Sequence, residues 1–149
     1  MSHSDRRFGM RRHVVALALG LAALYGHAGA AEVVLVTSTH SRIPALSSDE
    51  AAQLYLGRRT TLEDGMQVSL YDLPTGAARD RFYTLLTGKN PSQIRAYWSR
   101  QVFTGRALPP REASSPADLP SLLLNDPSAI GYLPDGPLDP RLRVLLKLP

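Results

Sequence analysis

The stretch from Leu70 to Leu86, LYDLPTGAARDRFYTLL, constrains the fold of this chain more than any other. An apolar run ends at Leu70 and Tyr71, and a short polar turn from Asp72 to Gly76 leads straight into an amphipathic helix. That helix, expected over about 75–86, carries Ala78, Phe82, Leu85 and Leu86 on one stripe, with Arg79, Asp80 and Thr84 elsewhere on its circumference. A strand feeding a helix through small residues points the first free backbone N–H groups at one spot. The orphan donors and the positive end of the helix dipole coincide there, which makes an anion seat. The competing reading is an ordinary helix N-cap at the same turn.

The ends of the chain bound the rest. Arg6, Arg7, Arg11 and Arg12 precede the apolar run VVALALGLAALY (Val14 to Tyr25), which is too short to span a bilayer. Ala28-Gly29-Ala30 supplies a small-x-small cleavage pattern, so residues 1–30 read as a signal peptide and 31–149 as one exported domain. The leader holds four of the 17 Lys and Arg and one of the 13 Asp and Glu, so the remainder is near neutral, at +1. The basic pI therefore belongs largely to the leader and gives no support to nucleic-acid binding. There is no cysteine, so stability has to come from packing. After the leader no apolar stretch is long enough for a transmembrane segment.

Along the domain, EVVLVT (Glu32 to Thr37) reads as a buried strand, and Ser47 with Glu50 fits a capping box for a helix that stops at Gly57. Gln67 to Tyr71 is the next strand. Gly88 ends the helix after the turn, and Asn90-Pro91 caps another, with Ile94, Tyr97, Trp98 and Val102 on one face. Phe103 is assigned to packing with Tyr97 and Trp98. Arg106 to Ser115 is a Pro- and charge-rich loop, Ser115-Pro116 opens a helix through Leu124, and AIGYL and RVLLKL are the last strands. The order β-α-β-α-α-α-β-β argues for α/β layers around a central sheet.

Enzyme chemistry has little to stand on. No His or Cys cluster suits a metal, no Gly-x-Ser-x-Gly elbow or P-loop occurs, and His40 is the only histidine after the leader, in a polar loop. No cofactor is implied. Arginines near turns (Arg58, Arg59, Arg79, Arg100, Arg106, Arg111) are the better lead, since a guanidinium can hold an oxyanion in a bidentate fork. The alternative is a set of surface charges.

Four segments carry a resemblance. LVTSTHSRIPALSSDEAAQLYLGRRTTLEDG resembles the region of periplasmic phosphate-binding proteins of ABC importers in which a strand leads to a Leu-Ser/Thr-x-Glu-x-Leu helix. That helix ends in an aromatic-Leu-Gly-Lys/Arg segment, matched by Tyr55-Leu56-Gly57-Arg58. LYDLPTGAARDRFY is similar to the family's Ser-Gly-Thr turn and following helix, AIGYL to its Ala-Ile-Gly-Tyr strand, and WSRQVFTGRALPPRE to a segment of its short, stand-alone members. The resemblance implies a type II periplasmic-binding-protein-like fold: a mixed central sheet flanked by helices, here as a single lobe. It also implies a periplasmic location.

Residue by residue, Thr75 and Gly76 match the anion-binding Ser-Gly, while Ala77 stands where the family often has a hydroxyl residue. Thr37 and Ser38, after the first strand, are expected to face the same pocket, with Arg79 or Arg106 as counter-charge. The expected function is weak recognition of phosphate or a related oxyanion without catalysis. A full receptor closes two lobes on its ligand, and a half-shell leaves the anion partly hydrated. The alternative is a module that reuses the fold to dock on a membrane-bound partner, a transporter or a sensor, with Leu108-Pro109-Pro110-Arg111 as contact surface.

Overall fold

The computed structural model describes residues 32–149, and the expected leader lies outside them. Five strands and four helices alternate in the order β1 (Val33–Ser38), α1 (Ser48–Tyr55), β2 (Ser69–Asp72), α2 (Ala77–Thr87), α3 (Pro91–Phe103), β3 (Arg111–Glu112), α4 (Leu119–Asn125), β4 (Ala129–Pro134) and β5 (Leu142–Leu148). A single turn of 3-10 helix, Pro116–Asp118, leads into α4, so the helix expected from Ser115 starts tighter and later than its cap pattern suggests. The strands form one mixed sheet in the order β3-β2-β4-β1-β5. β2 runs parallel to β3 and β4, and β1 runs antiparallel to β4 and β5. No helix among the described residues is long and apolar enough to cross a membrane.

The sequence explains each element locally. β1 is apolar at nearly every position because it lies between β4 and β5, and all six of its residues are buried. α1 begins at the expected reciprocal box, with Glu50 N–H donating to Ser47 Oγ and Ser47 N–H to the Glu50 carboxylate. α3 begins at a second one, Asn90 with Gln93, and Pro91 occupies its first turn. α2 ends at Gly88, whose φ of 69° is left-handed. The two-residue β3 was not visible in the sequence, because it lies inside a loop and follows Pro109-Pro110.

The core is aromatic at its centre. The Phe82 and Tyr132 rings stack at 3.7 Å, and Tyr55 meets Phe82 edge-on at 4.8 Å. The Tyr55 hydroxyl, fully buried, donates toward the carbonyls of Tyr71 (3.0 Å) and Ile130 (3.3 Å), which pins α1 across β2 and β4. α3 contributes Ile94 and Trp98 as expected, but Val102 and Phe103 do not join the core, and Phe103 is 92% exposed. The last turn of α3 thus leaves two apolar side chains on the surface.

Two glycines record close approaches. Gly131, in the middle of AIGYL, lies under Leu119 of α4, and a Cβ there would come within 3.0 Å of the leucine. Gly57 has φ of +66°, and a Cβ on it would lie 2.8 Å from Ala107 Cβ and 3.1 Å from the Trp98 ring. Gly57→Ala therefore combines backbone strain with overpacking, and a loss of about 2 kcal/mol is expected in urea denaturation.

Candidate functional site

Asp72 is not the turn residue the sequence suggests. It is the last residue of β2 and only 2% exposed. One carboxylate oxygen accepts a short hydrogen bond from the Tyr132 hydroxyl; the other accepts from the Tyr83 hydroxyl at 2.9 Å and from Arg79 Nε at 3.1 Å. The Tyr132 hydroxyl in turn accepts the Leu73 N–H at 3.1 Å. Burial pushes the Asp72 carboxyl above its ordinary range, against the opposing pull of Tyr132, Arg79 and Tyr83. Burial and the Asp72 charge raise both tyrosines in turn. The end of β2, the side of β4 and the first two turns of α2 are thus tied at one carboxylate.

Directly beyond it the chain turns through Pro74, Thr75 and Gly76 into α2. Gly76 is the N-cap residue, in extended backbone, and no side chain caps the helix. The Thr75 hydroxyl does not cap either; it accepts a long contact from Arg79 Nη1 at 3.4 Å. The first amide to find a helical carbonyl is that of Asp80, bonded to Gly76 O at 3.0 Å. The N–H groups of Ala77 and Ala78 have no protein partner among the described residues. Thr75, Gly76 and Ala77 are exposed and Ala78 is half-buried, so the turn lies at the surface. The cleft beside them, bordered by Thr75, Arg79, Asp80 and Arg95, has a volume of only about 30 Å³. An anion held here would rest on the surface, with protein donors on one side and water on the other.

Of the residues expected at this site, Thr75, Gly76, Ala77 and Arg79 come together. Thr37, Ser38 and Arg106 do not. Because β1 runs antiparallel to β4, Val33 pairs with Pro134 near the turn, and Thr37 and Ser38 lie at the opposite end of the sheet. Their hydroxyls are engaged there: Thr37 Oγ1 donates to Ala129 O at 2.8 Å, and Ser38 Oγ accepts the His40 N–H at 3.2 Å. Arg106 sits past the far end of α3, 13 residues or about 20 Å long, while Arg95 near its start borders the cleft. Arg79 is close to the turn, but its charge is already balanced by Asp72, and its guanidinium lies 5.7 Å from the Tyr83 ring centre. Among the described residues no three His, Asp or Glu side chains converge as metal ligands.

Asp72 is the residue that sequence reasoning missed. An acid directly after an apolar strand, seven positions before Arg79, was the available signal.

No family model and no curated protein sequence matches this chain. Solved structures do resemble it. An ABC-type phosphate transport receptor from Vibrio cholerae superposes with a TM-score of 0.60 at 14% identity, over 77% of this chain and 46% of the receptor. A protein from Clostridium perfringens, assigned as a phosphate ABC transporter substrate-binding protein and solved with bound phosphate, gives 0.58 at 16% identity, over 77% and 45%. At such identities the likeness is one of fold: a periplasmic-binding-protein-like mixed sheet flanked by helices. The chain spans less than half the length of either protein.

Removing the Asp72 carboxylate leaves two buried hydroxyls and a guanidinium without their acceptor. Asp72→Ala is expected to cost about 3 kcal/mol in urea denaturation. The pH dependence has a definite sign. A carboxyl raised by folding keeps its proton where the unfolded chain has lost it. Its contribution is fully present below the ordinary carboxylate pKa and is lost as pH rises through the raised value. The Tm of the native protein relative to Asp72→Asn should therefore fall as pH is taken from about 4 to about 7.

Proposed function

We propose that this chain is an exported, solute-binding-like protein that recognises phosphate or a related oxyanion weakly and carries out no covalent chemistry. The observation that carries this reading is the start of α2, where Ala77 and Ala78 present free N–H groups and no side chain caps the helix. Thr75 contributes a hydroxyl, and Arg79, anchored on Asp72, contributes the remaining N–H groups of its guanidinium. The fold likeness to phosphate-binding proteins supports the same reading.

Weakness follows from three features. Ala77 offers no hydroxyl, the positive charge of Arg79 is matched by Asp72, and no second lobe within the described residues closes over the turn. Each leaves the anion more hydrated, and charge-assisted hydrogen bonds lose strength with solvent exposure. Export through the N-terminal leader and a membrane-bound transporter or sensor as eventual recipient complete the reading.

Isothermal titration with phosphate and with sulfate at low ionic strength tests it. Saturable phosphate binding with Kd on the order of 1 mM is expected, and no heat with either anion up to about 20 mM would overturn it. Thr75→Ala should weaken binding severalfold. Ala77→Ser, which places a hydroxyl donor at the first helical position, should strengthen it by about threefold. Gly76→Ala is a stability control: its backbone is extended and a Cβ meets only Pro74 O at 3.9 Å, so the fold should change by less than about 0.5 kcal/mol.

A further inference from the structure

We propose that the face formed by the end of α1, the end of α3 and the loop before β3 is a docking surface for an acidic protein segment carrying large apolar side chains. This is independent of the oxyanion reading and concerns a different part of the molecule.

The first observation is uncompensated charge. Arg59 and Arg111 line one groove, Arg58 follows α1, Arg100 lies in the last turn of α3 and Arg106 just beyond it, and from Pro91 to Arg111 the chain contains no Asp or Glu. None of these five arginines takes part in an ion pair among the described residues. Arg59 and Arg111 act on Glu50 and Asp126 only through longer-range attraction, without a direct ion pair among the described residues. The second observation is apolar exposure in the same place. Phe103 (92%), Leu108 (82%) and Val102 (48%) are three of the four large apolar side chains exposed among the described residues. A folded chain concentrates such residues where something covers them.

The face is also shaped and held. Gly57 lies close to Ala107 and Trp98, and the Tyr97 hydroxyl donates to Leu56 O at 2.5 Å, so the end of α1 is held against α3 and the loop after it. Between them lies a groove of about 340 Å³, floored by Leu54, Val68 and Leu70, with Arg59 and Arg111 among its lining residues. That volume falls at the lower end of the range of binding pockets, about 300–1,000 Å³. A rigid groove costs little reorganisation on binding.

These features select the occupant. Guanidinium groups in a groove of mixed lining, apolar at Leu54, Val68, Leu70 and Leu108, match carboxylates alternating with Phe or Leu side chains, each arginine taking a bidentate pair. A second copy of this face would set arginine against arginine. A flat anionic bilayer could reach Phe103 and Leu108 but could not fill the groove. Strand addition is disfavoured because Pro109 and Pro110 have no N–H to offer and β3 is two residues long, so recognition rests on side chains.

The test is fluorescence anisotropy of the purified chain with a short labelled peptide alternating Asp or Glu with Phe or Leu. A peptide with Lys replacing the acids and vesicles containing phosphatidylglycerol are run in parallel. The expected result is saturable binding of the acidic peptide only, weakened about tenfold between roughly 20 and 300 mM salt. Arg59→Glu with Arg111→Glu should abolish it, and Phe103→Ser with Leu108→Ser should weaken it about fivefold. Arg141→Gln, in an exposed pair with Asp139 outside this face, should leave it unchanged.

Added phosphate at millimolar levels should not shift the peptide affinity relative to an equal ionic strength of chloride, which separates this surface from the α2 turn. Circular dichroism confirms folding of each variant; if the charge reversal unfolds the chain, Arg59→Gln with Arg111→Gln replaces it. No saturable peptide binding overturns the proposal. So does binding that survives the face substitutions, or vesicle binding without peptide binding.

Discussion

The buried carboxylate of Asp72 is the interaction on which the rest of the site depends. It lies at the end of β2 and binds side chains from α2 and β4 simultaneously. A carboxylate can be buried when donors replace its water, and three side-chain donors do so here. The consequence is positional: α2 cannot rotate without breaking the Tyr83 and Arg79 bonds, so its first turn is held against the sheet. It is also electrostatic. The same acid that fixes the turn cancels the nearest arginine, so the helix start keeps its backbone donors but has little net charge behind them.

The periodic parts of the fold were legible in the sequence because their signals are local. The capping box at Ser47, the Asn90-Pro91 cap, the terminating Gly88 and the apolar β1 all depend on neighbours within a few residues, and all formed where the pattern placed them. What could not be read was set by distant pairing. β3 exists only because Arg111 and Glu112 meet the end of β2, some forty residues earlier. Phe103 lies at the end of a helical apolar pattern, yet it is exposed, because burial is decided by what distant segments pack over a residue and not by its own helix.

The site shows the same division. The strand-turn-helix was readable, and Thr75, Gly76, Ala77 and Arg79 do meet at one place. Thr37 and Ser38 carry the same local signal, small hydroxyl residues at the end of a strand. Strand direction is not written in the strand itself: β1 runs opposite to β2, which sends its C-terminal end to the far side of the sheet. Asp72 is hidden in the sequence for a related reason. An acid beside Pro and Gly looks like a turn residue unless its donors, Tyr83 and Tyr132, are already known to converge on it.

The two edges of the sheet are unlike. At one, β3 is two residues long and preceded by two prolines; at the other, β5 presents seven residues, the sixth of which, Lys147, is paired with Glu32 and Asp135. Yet β5 is not bare: the loop after β1 lies against it, with Leu46 N–H bonded to Leu145 O at 3.0 Å and Arg143 donating to Ser41 O at 3.0 Å. Each border is thus guarded by a different device, brevity and proline at one, a returning loop and a paired lysine at the other. A neighbouring chain that approaches this sheet edge-on meets side chains and loop before it meets a ladder of unpaired amides.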